Sequence, residues 1–351
     1  MMVLRDDWED RAAWDCFAER HSEARFCHLF SYAAVLQCYG YVPRNICFLK
    51  NREIVGVLPA TQINTMFSGR KLVSQPFSEY GGLLAEPQLS ADDIAEIFSL
   101  TIAYSRSTLN IKMIEIHGNH GVPNAWQQNW TVRSTPLHIA VLPLNRPPDE
   151  LWQKVLNYSA RKAINQARGY GLEVVFECDD EIIARHFYPL YLRTMKRLGA
   201  PPHKISYFLH CYRAFGDKMI IGWAKRDGEI VAGLLGFSCG NRISIISTVS
   251  DRRNWHLRPN DLLHWEFIKR AAETGHAIFD FGSVRYQGQR DFKKKWGCEF
   301  VEHENYFVGP GRGGIDSSSK SMQTMAALWA RYMPSGLARG VGPMIRRQLA
   351  R

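Results

Sequence analysis

Apolar positions along this chain switch between a helical period and strand-like runs, and the switching runs through the same order twice. Spacings of three and four predict helices over residues 8–20 and 31–39. Apolar runs at 45–49 and 53–63, joined by the polar turn Lys50-Asn51-Arg52, predict a β-hairpin. A short strand at 71–74 follows, then the loop 75–82, a helix over 91–107 capped by Ser90, and a strand over 111–117. The second half predicts helices over 181–198 and 206–215, then a hairpin over 219–225 and 229–238. A strand over 241–249, a helix over 262–274 capped by Asn260 or Asp261, and a closing strand over 277–281 complete it.

The two hairpins also match in letters. Lys50-Asn51-Arg52-Glu53-Ile54-Val55-Gly56 parallels Arg226-Asp227-Gly228-Glu229-Ile230-Val231-Ala232-Gly233. Shared element order and shared hairpin sequence argue for two copies of one α/β domain with mixed sheets. Asn145-Arg146-Pro147-Pro148 marks the boundary, because paired prolines interrupt both helix and sheet. The expected division is 1–145, 146–308 and a basic tail over 309–351.

The length of 351 residues suits two domains of this size. Eight cysteines stand singly without a CxxC pair, which reads as free thiols in a reducing cytoplasm. The start of the chain is acidic and lacks the apolar stretch of a signal peptide. No apolar run is long enough to span a bilayer. The histidines are scattered, so no metal is expected. The net charge is +10, and the segment 311–351 holds seven Lys/Arg against one Asp. The excess favours anionic partners, and most of it sits in the tail.

Two familiar motifs fail on context. Gly236-Phe237-Ser238-Cys239-Gly240 spells G-x-S-x-G, but strand-like runs flank it on both sides, which excludes the strand-to-helix elbow of a serine hydrolase. Gly309-Pro310-Gly311-Arg312-Gly313-Gly314 spells G-x-G-x-x-G, but Ser317-Ser318-Ser319 follows, so it reads as a linker.

Several stretches together resemble the FemAB family of peptidoglycan bridge-forming enzymes. In the first half these are Gly56-Val57-Leu58-Pro59 and Pro76-Phe77-Ser78-Glu79-Tyr80-Gly81-Gly82. Next come Leu151-Trp152 and Arg161-Lys162-Ala163-Ile164-Asn165-Gln166-Ala167-Arg168. The second half adds Arg258-Pro259-Asn260-Asp261-Leu262-Leu263-His264-Trp265-Glu266, Phe279-Asp280-Phe281-Gly282 and Phe292-Lys293-Lys294-Lys295-Trp296-Gly297. The order of these stretches covers roughly residues 5 to 300. It looks closest to the FemAB-related branch associated with exopolysaccharide and protein-sorting loci. The resemblance implies two tandem GNAT-like acyltransferase domains. The helical arm that some cell-wall members use for tRNA is not evident in this sequence.

Arg161, Asn165 and Arg168 fall on one helix face, where guanidinium forks match phosphate oxygens or simply face solvent. The resemblance favours a carrier-phosphate site there, with Arg258, Asn260 and Trp296 as further substrate contacts. It also places Lys293 near the transferred group, where a cation stabilises an oxyanion or a leaving phosphate. Lys294 and Lys295 read as surface charge. Asp280, among apolar neighbours on a strand, either takes a proton from an amine or holds structure. Glu79, Tyr80 and Glu86 lie in or near a Gly-rich loop that either approaches a ligand or makes a tight turn. Acetyl-CoA-binding GNAT loops carry glycines where His256 and Arg258 stand here, so this loop cannot wrap a pyrophosphate in the usual way.

The expected function is N-acyl transfer, from an aminoacyl-tRNA or acyl-CoA donor to an amine on a phosphate-bearing envelope or exopolysaccharide precursor. No tightly bound cofactor and no DNA are expected. The alternative is a non-catalytic GNAT-fold scaffold in an envelope-assembly complex. The tail spaces Met322, Met325, Leu328, Trp329, Tyr332 and Met333 helically among arginines. Such a segment lies on anionic lipid at the inner membrane face, or packs on the body.

Overall fold

The computed structural model describes residues 1–66, 69–118, 135–309 and 320–350. Two compact units emerge. One comprises Met1–Pro136, His303–Asp316 and Ile345–Arg351; the other comprises Leu137–Glu302 and Ser317–Met344. Residues 137–145, read from the sequence as the end of the first domain, fall in the second unit, and 303–308 fall in the first.

The first unit contains β1 (Met2–Arg5), α1 (Arg11–Glu19), α2 (Tyr32–Gln37), β2 (Val42–Lys50) and β3 (Glu53–Thr65). β4 (Gly69–Val73), β5 (Leu84–Ala85), α3 (Ala91–Ala103) and β6 (Met113–His117) follow. The sheet order is β1-β2-β3-β4-β6. The hairpin β2–β3 is antiparallel, and the helical crossover through α3 makes β4 and β6 parallel. Ser90 and Asp93 cap α3 reciprocally. Ile46, Phe48, Leu58, Ile97, Phe98, Ile114 and Ile116 form the core between helix and sheet. A late segment completes the unit: Asn305–Val308 pair antiparallel with β6. Sequence order gave no sign of this, because the pairing partner lies far along the chain.

The second unit repeats the plan. It contains β7 (Thr135–Pro143), α4 (Tyr158–Gly169), β8 (Leu172–Phe176), α5 (Tyr188–Arg197) and α6 (Ile205–Phe215). β9 (Met219–Arg226), β10 (Glu229–Cys239), β11 (Arg242–Ser250), α7 (Pro259–Glu273), β12 (Ile278–Val284) and α8 (Gln287–Lys294) follow. The order is β7-β12-β11-β10-β9-β8, with β11 and β12 parallel across α7. Trp265, Phe267, Ile268, Phe279 and Trp296 dominate the core.

Three local differences from the sequence reading have plain causes. The helix expected to start at 262 begins at Pro259, because proline suits the first helical position. Arg258 caps that helix in the left-handed region, at φ 60°. The helix expected over 181–198 is interrupted by a π turn at Ile183–Phe187 before α5. The stretch 292–297, read as a turn, begins inside α8. It closes at Gly297 (φ 77°), where a Cβ would lie 2.5 Å from the Val155 side chain.

The tail forms α9 (Lys320–Tyr332) and α10 (Ser335–Leu349). The putting-together is close: a Cβ on Gly199 would sit 2.2 Å from the Ala326 carbonyl, and one on Gly342 would sit 2.4 Å from the Pro202 ring. Residues 310–314 and 317–319, read from the sequence as a linker, lie outside the described residues. Among the described residues no helix is long and apolar enough to cross a membrane.

Candidate active site

α4 shows how the sequence builds one wall of the site. Asn157 caps it by accepting from the Ala160 N–H at 3.0 Å. Ala160, Ala163, Ile164 and Ala167 face the core. The same period leaves Tyr158, Lys162, Asn165 and Gln166 exposed. These side chains, with Trp152 and Arg161, line a surface cavity of about 440 Å³. A second cavity of about 300 Å³ is lined by Ser159, Lys162, Ala163, Gln166, Arg258 and Lys295. Lys162 and Gln166 line both, so the two form one groove with several cationic groups along it.

The predicted stripe on α4 divides. Arg161 and Asn165 do line the groove. Arg161 is nonetheless engaged: its Nη1 donates to the carbonyls of Trp152 (3.1 Å), Gln153 (3.1 Å) and Leu156 (2.7 Å). It closes the end of the π turn Leu151–Val155, where carbonyls would otherwise lack partners. Arg168 does not line either cavity; it pairs with Glu266 at 3.0 Å and lies 5.5 Å from the Trp152 ring centroid. Lys162, not singled out from the sequence, is the exposed cation common to both cavities. The core period of α4, which turns Lys162 outward, was the signal available in the sequence.

Arg258 reaches the groove from the start of α7. Asn260 has a buried Oδ1 without a hydrogen-bond partner, while its Nδ2 donates to Ser250 Oγ at 3.5 Å. Lys295, read as surface charge, is ion-paired with Asp261 and lies 4.3 Å from the Phe292 ring centroid. Lys294 is exposed. Trp296 is fully enclosed and packs on His264, Phe281 and Phe292, so its place is the core and not a substrate surface. Burial pushes the His264 pKa down to about 4, against the opposing effect of its 2.6 Å bond to the Asn260 carbonyl.

Asp280 and Lys293 come together around Gly282. Asp280 is fully buried; its Oδ2 accepts from Arg242 at 3.3 Å and its Oδ1 from the Gly282 N–H at 2.8 Å. Lys293 is buried and donates to the carbonyls of Gly282 (2.9 Å) and Ser283 (2.6 Å). Gly282 sits at φ 74°, where the pairing of β12 with β7 shifts register between Asp280 and Ser283. The carboxylate and the ammonium therefore hold a bulge in β12. Proton transfer from an amine needs a carboxylate that reaches substrate, and Asp280 is enclosed.

A different exposed feature follows β11. Trp255 stands on the turn Arg252–Leu257, with the Arg197 and Arg252 guanidinium groups 4.7 and 5.8 Å from its ring centroid. Burial lowers the Arg197 pKa; Tyr286 works against that shift and Arg252 adds to it. Two crowded cations around an exposed aromatic ring favour an anionic, stackable ligand.

Glu79, Tyr80 and Glu86 belong to the first unit. The Glu79 carbonyl accepts from His303 Nε2 at 2.7 Å. Tyr80 is buried beneath Arg25, whose guanidinium lies 4.3 Å from its ring centroid. Glu86 pairs with Arg20. The same unit holds a buried ionic group that the sequence reading passed over. Lys71 Nζ meets Glu115 Oε2 at 2.5 Å, and His117 Nε2 meets Glu115 Oε1 at 2.8 Å. Burial raises the Glu115 pKa, but His117 and Lys71 outweigh it and bring it down to about 2. A charged residue inside each apolar strand run was the available signal.

Residues 154–294 match the family model described as an acetyltransferase (GNAT) domain. The second unit thus carries a GNAT domain. Among solved structures, the chain is similar to FemX, at 15% identity over 94% of this chain and 100% of that one, with a TM-score of 0.71. It is similar to L-PGS from Bacillus licheniformis at 13% identity, over 92% and 98% of the two chains, with a TM-score of 0.57. A tandem GNAT protein from the clavulanic acid biosynthesis pathway matches at 12% identity over 89% and 100%, with a TM-score of 0.53. No curated protein matches in sequence. These likenesses give the chain a FemAB-like, tandem-GNAT fold. In the GNAT domain the parallel pair β11–β12, the start of α7 and the groove on α4 lie within one unit.

Proposed function

We propose that the chain is an N-acyltransferase that takes an aminoacyl group from an RNA-linked ester and passes it to an amine on a phosphate-bearing envelope or exopolysaccharide precursor. The GNAT match over 154–294 is the observation that carries acyl transfer. The fold shared with FemX and L-PGS supports it. The choice of donor rests on the turn before α7. It presents His256 and Arg258 where a pyrophosphate-wrapping loop would need glycine, beside an arginine-flanked Trp255. Guanidinium groups beside an exposed aromatic ring suit a single-stranded RNA end, by phosphate pairing and by contact with the ring. Lys162 and Arg258 in the groove suit the phosphate of the precursor. Amine attack on the ester carbonyl forms the amide and releases the RNA hydroxyl; no covalent enzyme intermediate is required. In this scheme Lys293 is a positioning residue, whose contacts to Gly282 and Ser283 hold the bulge in β12.

The test is fluorescence anisotropy with an RNA hairpin ending in single-stranded CCA. The full chain binds it, Trp255→Ala weakens binding about tenfold, and coenzyme A does not compete. Displacement of the RNA by coenzyme A would move the donor assignment to acyl-CoA. One observation favours a non-catalytic scaffold instead: Lys293 and Asp280 both serve the bulge in β12. Binding without any transfer in the presence of precursor would favour that reading.

A further inference from the structure

The two tail helices carry an unused surface. On α9, Met325, Leu328 and Tyr332 repeat at three and four residues; on α10, Leu337, Val341 and Met344 repeat at four and three. All six are between 40% and 68% exposed. They are not the packing residues. Ala326 meets Gly199, Ala338 is buried, and Gly342 meets Pro202, each offset by roughly a quarter turn from the exposed row. Each helix therefore has a row that packs and a second apolar row left open to solvent.

Charge decides what covers those rows. Residues 320–350 contain Lys320, Arg331, Arg339, Arg346 and Arg347 and no acidic residue. A second copy of the chain would bring a like-charged tail against them, on a molecule of net charge +10. An anionic bilayer surface has the opposite sign and an apolar layer beneath it. We propose that α9 and α10 are an in-plane dock for anionic phospholipid. The apolar rows enter the headgroup–acyl boundary, and the exposed Lys320 and Arg331, which flank the α9 row, lie among the headgroups. The helices are not spanning segments, in keeping with their length and with the place of both apolar rows in the second unit. This inference is independent of the reaction proposed above.

The experiment is cosedimentation of the full chain with phosphatidylglycerol vesicles and, separately, with phosphatidylcholine vesicles. The chain sediments with the first and not with the second, and added salt weakens binding. Leu328→Glu with Val341→Glu lowers partitioning at least tenfold, and Lys320→Glu with Arg331→Glu lowers it by a similar factor. Because these side chains are exposed, all variants keep the wild-type melting temperature and RNA-hairpin affinity. Equal sedimentation of wild type and both variants overturns the proposal, as does failure of the wild type to bind phosphatidylglycerol. A concentration-dependent dimer that Leu328→Glu with Val341→Glu converts to monomer also overturns it, and assigns the rows to a second copy.

Discussion

Glu115 holds in the first unit the position that Asp280 holds in the second. In the parallel pair β4–β6, Lys71 lies opposite Met113, two residues before Glu115. In the parallel pair β11–β12, Arg242 lies opposite Ile278, two residues before Asp280. Each acid pairs with the cation on the neighbouring strand, Lys71–Glu115 at 2.5 Å and Arg242–Asp280 at 3.3 Å. Each also accepts a hydrogen bond from the residue two positions further on, the His117 ring in one unit and the Gly282 N–H in the other. The duplication thus extends to a buried ion pair at the same register. A buried pair contributes little net stability, but removing one partner strands the other. Glu115→Ala is expected to cost about 3–5 kcal/mol in urea denaturation. Replacing both Lys71 and Glu115 by methionine is expected to cost less than the single change.

The acid limb of stability separates two groups. Glu115 has a folded pKa of about 2, below its unfolded value, so its contribution is complete above about 4.3 and disappears as pH falls through about 2. His264 is also depressed, to about 4, so its contribution is complete above about 6.5 and is lost as pH falls through about 4. His264→Phe keeps an aromatic ring against Phe281 and is expected to flatten the decline between those two values. Glu115→Gln is expected to flatten only the lower part. Urea midpoints measured across this range check both.

The Gly282 bulge makes Lys293 a structural residue. With the ammonium donating to two carbonyls in a buried site, its removal is expected to cost about 1–3 kcal/mol. Gly282→Ala, with φ 74° and no Cβ contact closer than 3.7 Å, is expected to cost about 1–2 kcal/mol from backbone strain alone. Lys294→Ala changes neither stability nor transfer. Thermal denaturation and transfer rates of the three variants test this together.

Much of the fold was legible because each unit is assembled from local patterns: a hairpin, a crossover helix and a closing strand. The repeated hairpin at 50–56 and 226–233 pointed to duplication directly. What escaped was non-local. β13 (Glu299–Val308) pairs Asn305–Val308 with β6 of the first unit, far earlier in the chain, and no sequence period carries that information. The site was legible in part. The α4 stretch was located, but Arg161 and Arg168 were given to phosphate when neighbouring carbonyls and Glu266 hold them. Residue type could not distinguish a cation already paired from the exposed Lys162. Trp296 was misplaced because an aromatic next to a basic run reads equally as wall or core.

The groove on α4 makes its own prediction. Lys162→Ala is expected to raise the apparent KM for the phosphate-bearing precursor about tenfold while leaving the melting temperature unchanged, because an exposed lysine contributes little to stability. Arg258→Ala is expected to do the same, and Arg258→Gly to keep the backbone turn that φ 60° requires. Steady-state kinetics with both variants check the claim.

The most direct test of the account is transfer itself. The full chain is incubated with aminoacyl-tRNA carrying label in the amino acid, together with a pool of soluble nucleotide-linked envelope precursors. Label is then counted in precursor after base treatment that cleaves esters and spares amides. The account predicts base-stable label in the precursor, reduced at least tenfold in Lys162→Ala and in Trp255→Ala. Label that stays on the tRNA, or that appears only as free amino acid, would contradict it.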